Sequence, residues 1–453
     1  MAAVLTPPAP SAAAGPHAVS RPPWGGWRSR WPLLPLVATV LLPALPHGAS
    51  GGGGGPADVA SGVAVLVCVG RLLYLRQRPL SATAALVLGL PVVGFALATV
   101  TAADPAAALP GLVRYLQVFV LVPIAVFLLL RDAHGFRIVA GSLVVLAVVQ
   151  GVTGVSQYVT GTGASYMGED IRAVGTFGPS DIMGMATVVA YGLLAAAACA
   201  LRTPRNAPAW LRPCAAVLAV ALIVPLTLSF SRGVWIATAA AVLVVLALTG
   251  RRQAWASLAV LGAAGVVVVG GFGVGSEMIA DRAASVTRVT STPDRSVSDR
   301  YAMWSAAGAM WRERPATGVG LKGFPAHRDG HASIGLSSGS DTAGAGQEFR
   351  RQALLSPHNM YLLVLSEQGL IGLTALLGSW AAILAGAVRR LRLARSRGHT
   401  AVDCGLAAVA LMAWQSVNFL YADIGGPTTV LSGVVLGLAA WWALSDPDRV
   451  SAV

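Results

Sequence analysis

The chain has 453 residues, of which 55% are hydrophobic and only 11% charged. A water-soluble fold of that composition would expose more apolar surface than water tolerates, whereas lipid accepts apolar side chains all round a helix. The net charge of +13 does not mark a nucleic-acid binder, because the arginines sit in short clusters between apolar runs, as the positive-inside rule requires.

Residues 1–30 are rich in Pro, Ala and Ser, carry Arg21, Arg28 and Arg30, and read as a disordered cytoplasmic tail. The first apolar run, 31–47, is interrupted by Pro32, Pro35, Pro43 and Pro46 and is expected to be a retained, irregular span followed by a flexible loop at Gly51–Gly55. Further apolar runs lie near 57–75, 80–102, 110–130, 138–158, 182–201, 213–230, 233–249, 254–275, 358–388, 401–421 and 427–444, about twelve spans in all. The expected fold is therefore an all-α, polytopic membrane protein: spans 1–9 in residues 31–275, one large extracytoplasmic loop with short helices at 276–357, spans 10–12 in 358–444, and a cytoplasmic tail at 445–453. With the N-terminus inside, the inner loops collect Arg71, Arg76 and Arg78; Arg131 and Arg137; Arg202, Arg205 and Arg212; Arg251 and Arg252; and Arg389, Arg390, Arg392, Arg395 and Arg397. The outer loops and helix ends hold few: Arg114, Arg172 and Arg232. Cys68, Cys199, Cys214 and Cys404 lie in or beside apolar runs and read as small packing residues.

Within the large loop, 298–313 is expected to be helical, with Ser298 as N-cap and Tyr301, Trp304, Gly308 and Trp311 as its apolar stripe. Pro315, Gly318 and Gly320 end it in a turn, and the Gly/Ser-rich stretch 330–347 reads as mobile. His327 and His331 have the spacing of a metal pair, but Gly330 argues against a rigid helix there. Asp446 and Asp448 fall in the inner tail.

Ser-Pro-His-Asn, 356–359, runs directly into an apolar helix and places His358 at the outer surface at the start of a span. A histidine there suits a general base at neutral pH, and equally a helix-capping or interfacial role. Arg232, in Leu-Ser-Phe-Ser-Arg-Gly, occupies a short outer turn where a cation calls for either an anionic ligand or snorkelling. Arg172, in Arg-Ala-Val-Gly-Thr-Phe-Gly-Pro, is a second outer cation, with Glu169 and Asp170 as alternative partners; Arg300, at the start of the loop helix, is a third, or a solvated helix residue. Glu367 lies roughly 13 Å deeper than His358 along a helix and on the opposite side, so it is expected to meet a neighbouring helix rather than His358.

Arg172 in RAVGTF, Arg232 in SFSRG, the stretch RYAMWSAAGAMWRERPATGVGLKGF (300–324) and HNMYLLVLSEQGLIG (358–372) occur in this order around a single large outer loop. Over residues 140–385 the pattern resembles the O-antigen ligase family of bacterial membrane proteins, which includes lipopolysaccharide O-antigen ligases, polysaccharide polymerases and some protein O-oligosaccharyltransferases. The resemblance implies a GT-C-like helical fold in a bacterial cytoplasmic membrane and inverting transfer of a glycan from a polyprenyl diphosphate to a glycan, lipid or protein acceptor at the outer face. It implies His358 as base, Arg232 as the residue holding the diphosphate, Arg172 and Arg300 as aids to donor binding, Asn359 and Glu367 as supporting residues, and neither metal nor cofactor. The composition fits an organism without lipopolysaccharide, so a lipid A acceptor is not expected. Two other readings of the outer arginines are a transporter or flippase of a polyanionic lipid-linked glycan and a non-catalytic cell-envelope assembly protein.

Overall fold

The computed structural model describes residues 30–45, 55–76, 80–166, 172–178, 181–204, 207–250, 295–331, 339–344, 350–353, 355–398 and 400–446. The expected N-terminal tail, most of the Gly51–Gly55 loop, Arg78, Glu169, Asp170, Arg205, Arg251, Arg252, the run 254–275 and Asp448 lie outside the described residues. From Pro32 onward the chain forms one compact unit.

The fold is that of a polytopic helical membrane protein. Among the described residues, eight helices are long and apolar enough to cross a bilayer. In chain order the helices are α1 (Trp31–Ala44), α2 (Pro56–Leu75), α3 (Ala82–Val100), α4 (Pro105–Leu129), α5 (Ala133–Thr160), α6 (Ile182–Leu201), α7 (Leu211–Leu228), α8 (Arg232–Thr249), α9 (Arg295–Glu313), α10 (Phe324–His331), α11 (Met360–Ser396), α12 (Val402–Asn418) and α13 (Thr429–Leu444). Many helices start where the sequence supplies a cap or a proline: Asp132 accepts from the Gly135 amide at 2.7 Å, Ser81 from Ala84 at 3.2 Å, and Asp104 precedes Pro105. Helix α1 is shorter than a full span and closes in a 3₁₀ turn at Leu42–Ala44. A three-stranded antiparallel sheet joins β1 (Ala164–Tyr166), β2 (Gly339–Gly344) and β3 (Arg350–Ala353), so Gly339–Gly344, expected to be mobile, is paired on both sides.

The helices divide the described arginines between two ends. One end carries His358, Arg172, Arg232 and Arg300; the other carries the C-terminus of α6 at Arg202, the C-terminus of α11 with Arg390, Arg392 and Arg395, and the N-terminus of α12 with Asp403 paired to Arg137 at 2.7 Å. Arg114, flagged in the sequence as an outer cation, is neutralised by Asp58 in the first turn of α2.

Helix α11 is not continuous. Gly369 adopts φ 64° and ψ −164°, which no helix contains and which disfavours any side chain. In a regular helix the amides of residues 370 and 371 would bond to the carbonyls of 366 and 367. Here the segment 315–320 of the large loop takes all four groups. Val319 N donates to Ser366 O at 2.9 Å and Gly320 N to Glu367 O at 3.0 Å, while Leu370 N donates to Pro315 O at 2.9 Å and Ile371 N to Ala316 O at 3.2 Å. Leu321 N then donates to Ala98 O, in the last turn of α3, at 2.9 Å. The loop is thus threaded between α3 and α11, with its backbone polar groups satisfied.

Helix α9 begins at Arg295, so Ser298 lies inside its first turn rather than at its cap. Its buried face is also not the expected aromatic stripe. Met303, Ala306, Ala307 and Met310 are buried, whereas Tyr301 is 47% exposed. Small and flexible side chains allow α9 to lie close on α11, and the aromatic residues take the edge, where Trp304 Nε1 donates to Pro357 O at 2.9 Å.

A Cβ at Gly369 would collide with the backbone of Ala316 and Thr317, and one at Gly318 with that of Ser366, Glu367 and Gln368. Gly369→Ala and Gly318→Ala are each expected to lose about 2–4 kcal/mol of stability. Thermal unfolding in detergent and protease sensitivity of residues 295–357 measure this; wild-type values in both assays would contradict the threaded loop.

Candidate functional site

The site is built at the end of the bundle where the ends of α5, α7 and α12 meet the starts of α6, α8, α11 and α13. His358 precedes α11 and is itself strained, with φ 47°. Asn359 fixes the next residue: its side chain accepts from Tyr361 N and Leu362 N, both at 3.0 Å, as N-cap of α11. Asn359 therefore has a structural explanation, holding the backbone that presents His358. Met360 N is shared between Phe419 O at 2.9 Å and Ala422 O at 3.0 Å, which ties the histidine to the α12–α13 connection. Tyr361 Oη donates to Ser416 O at 2.5 Å on α12.

That connection, residues 419–428, is the hub. Phe419 stacks on Trp380 with ring centroids 5.3 Å apart, over an aromatic floor completed by Phe119, Phe95 and Tyr115. A Cβ at Gly233 would touch Tyr421 at 3.0 Å, so the Arg232–Gly233 turn lies directly against the hub. Gly426 approaches the carboxylate of Asp181, at the start of α6. Asp423 interacts electrostatically with His358, and its Oδ2 is buried without a hydrogen-bond partner among the described residues. Arg300, on α9, acts on His358 from the other direction.

Arg172 reaches the same end on a buried loop held by two glutamines of α5. Gln157 Oε1 accepts from Val174 N at 3.1 Å and Gly175 N at 2.8 Å, and its Nε2 donates to Gly175 O at 2.8 Å. Gln150 Oε1 accepts from Thr176 N at 2.9 Å, and its Nε2 donates to Pro43 O at 3.0 Å, the carbonyl that ends α1. Gly175, at φ 62°, leaves no room for a side chain against Gln150. Ala173 N donates to Leu228 O at 3.2 Å, joining the Arg172 loop to the turn that carries Arg232. Arg172 itself exchanges backbone hydrogen bonds of 2.7 and 3.0 Å with Ala164.

The two arginine loops, the histidine and α9 thus share one end, and Asp423 and Asp181 join them. Neither acid was singled out in the sequence. The available signal was the one that marked Arg172 and Arg232: an ionised side chain in a short connection between apolar runs. Glu367 lies elsewhere. It is 1% exposed, its Oε1 accepts from Phe324 N at 3.2 Å, and Lys322 lies beside it. As expected, it meets a neighbouring helix rather than His358: Phe324 is the first residue of α10. The His327/His331 pair is helical after all, in α10, and three of its four ring nitrogens have protein partners: His327 Nδ1 with Gly323 O at 2.9 Å, His331 Nδ1 with His327 O at 2.7 Å and His331 Nε2 with Glu313 at 2.8 Å.

Burial pushes the His358 imidazole below its ordinary value of 6.5; Asp423 pulls it up and Arg300 pushes it further down. The net result is a neutral ring, which can accept a proton. Burial also raises the Asp181 carboxyl to about 7, against a lowering by the Gly184 amide.

Residues 215–377 match the O-antigen ligase family. The match bears out the resemblance carried by the sequence motifs. It spans Arg232, Arg300, His358 and Glu367, a little over a third of the chain; Arg172 and Asp423 fall outside it. No curated protein matches the chain. Eight membrane-length apolar helices among the described residues indicate a multi-pass membrane protein, and the match gives it a region similar to O-antigen ligases.

Asp181 provides a pH test of the site's packing. Its folded value of about 7 exceeds the unfolded 3.8, so the folded state holds the extra proton between the two and stability falls as pH rises through that window. Asp181→Asn is expected to stabilise the protein at pH values above that window by on the order of a few kcal/mol and to leave it unchanged below. Melting curves across that range would sink the assignment if the variant's advantage were independent of pH.

Proposed function

We propose that the protein transfers a glycan from a polyprenyl diphosphate carrier to an acceptor hydroxyl at the outer face of a bacterial cytoplasmic membrane, with no metal or cofactor. The observation that carries this reading is the setting of His358: strained, neutral, fixed by the Asn359 cap and flanked by Asp423 and Arg300 at the end that also holds Arg232 and Arg172. The positive-inside rule supports placing this end outside, because the opposite end collects Arg137, Arg202, Arg390, Arg392 and Arg395. A polyprenyl chain would lie in the bilayer and its diphosphate at the surface, at the level of the arginines.

In the reaction, the acceptor oxygen attacks the anomeric carbon as the bond from that carbon to the diphosphate oxygen breaks. The acceptor proton passes to His358 Nδ1 or Nε2, and Asp423 stabilises the imidazolium that forms. The departing polyprenyl diphosphate carries the electron pair, and Arg232, assisted by Arg172 and Arg300, balances its growing charge. Holding both reactants in place supplies several kcal/mol more. The acceptor is a glycan, lipid or protein hydroxyl, in a single ligation or a repeated polymerisation.

A transporter reading draws on the break in α11, since discontinuous helices often line substrate sites. Here the four backbone groups freed at Gly369 are already bonded to residues 315–320, which favours a locked joint over a ligand cavity.

Purified protein supplied with polyprenyl-diphosphate glycan and candidate acceptors tests the proposal. His358→Ala is expected to lower turnover by roughly 10²–10⁴-fold, and Arg232→Ala by about 10²-fold or more, with unchanged insertion and a chelator without effect. Transfer at wild-type rate by both variants would refute it, and movement of label across the membrane without covalent product would favour transport. The acidic limb of the rate profile should lie below 6.5, move down in Asp423→Asn and move up in Arg300→Gln. A limb that does not respond to either substitution would remove His358 from the role of base.

A further inference from the structure

At the end of the bundle opposite His358, a cavity of about 580 Å³ is lined by Arg202, Arg392, Arg395, Thr203, Ser396 and Thr400. The arginines of this end follow two different patterns. Arg137 forms a two-point ion pair with Asp403, at 2.7 and 2.9 Å, and Arg390 donates to Trp442 O at 3.0 Å and to Ser445 O while its guanidinium lies over the Trp442 ring. These two are satisfied by the protein. Arg202 and Arg395 instead converge closely enough to repel each other, and the Nε of each is buried without a hydrogen-bond partner among the described residues. Arg395 Nη2 donates to Thr249 O at 2.9 Å, which fixes its direction. Arg392 adds a third cation.

Placement at helix C-termini accounts for one arginine at a time, since Arg202 caps α6 and Arg395 lies in the last turn of α11. It does not account for two arginines lining one cavity, each with a buried Nε that meets no acceptor among the described residues. The N-terminus of α12 adds to the same positive field: Thr400 and Val402 line the cavity, the N-cap Ala401 has no side chain to cap the helix, and the nearby Asp403 is engaged by Arg137. Hydroxyls from Thr203, Ser396 and Thr400 complete a lining rich in donors.

We propose that this cavity is a binding site for a phosphate ester, of the kind carried by an anionic phospholipid headgroup. Three arginines with hydroxyl donors match the oxygens of a phosphate. The cavity lies where the ends of α6 and α11 would meet the headgroup region. The inference is independent of the glycan-transfer reading.

Native mass spectrometry and thermal melting of the full-length protein in detergent test it, with phosphatidylglycerol, phosphatidylcholine and inorganic phosphate as separate probes. Phosphatidylglycerol is expected to be retained over phosphatidylcholine, and R202Q and R395Q each to lower its retention about tenfold. R395K, which keeps the charge, should recover most of it. The exposed Arg392 supplies R392Q, which leaves the Thr249 contact and the fold intact and should also weaken binding. Stabilisation by inorganic phosphate with the same arginine dependence would identify a free phosphate ester as the ligand; stabilisation by phosphatidylglycerol alone would identify the headgroup. Equal retention of phosphatidylglycerol by wild type, R392Q and R395Q, with no response to phosphate, would overturn the proposal.

Discussion

Every stretch of non-helical backbone inside a membrane bundle must find protein partners for its amides and carbonyls, because lipid offers none. Much of this structure follows from that requirement. Pro43 O, left open where α1 stops short, is used by Gln150. The loop 173–176 is held by side-chain amides of Gln150 and Gln157. The groups released at Gly369 are taken by residues 315–320, and the shared amide of Met360 holds the α12–α13 connection. Each solution gives an irregular segment backbone partners, as a helix would, and two of these segments, the loop after Arg172 and the α12–α13 connection beside His358, bear on the candidate site.

Rigidity of this kind permits strain. His358 and Phe230 are both left-handed, at φ 47° and 48°, a conformation that costs non-glycine residues of order 1–3 kcal/mol. The cost is met locally: Asn359 caps the helix beginning one residue later, Trp304 holds Pro357 one residue earlier, and Tyr158 packs its ring 6.2 Å from that of Phe230. The surroundings over-determine the position of the histidine, and the same burial that orders it removes its proton. Placement and protonation state come from one cause.

The spans and the basic side chains of the candidate site were legible in the sequence because each is a local signal: an apolar run, a charge cluster, or an ionised residue in a short turn. Partnerships were less legible. Gly369 lies within an apolar run, and a glycine there is compatible with an ordinary helix; only the backbone of Ala316 and Thr317, some fifty residues earlier, explains it. Read alone, the TGVG stretch is a turn. Asp423 and Asp181 carry the same kind of signal as Arg172 but take their meaning from His358 and Gly426, which are distant in sequence. On α9 the aromatic residues suggested the buried face; the close approach of α11 selected Met303, Ala306, Ala307 and Met310 instead. Glu367 meets a neighbouring helix, as its depth along the span suggested, but counting turns along α11 does not name that helix: the partner is the first amide of α10.

The threaded loop also fixes an order of assembly. Residues 315–321 leave the ribosome before residues 366–371, the partners for four of their hydrogen bonds, while Ala98, the partner of Leu321, has been in place since the third helix. The loop can therefore dock at one end but not close until α11 has been synthesised and inserted. His358 sits at the leading end of that same helix, and the hub that holds it comes later still, after α12. A nascent chain halted before residue 366 would contain every arginine of the candidate site but only the loop half of the lock, so the competent arrangement is among the last things this chain acquires.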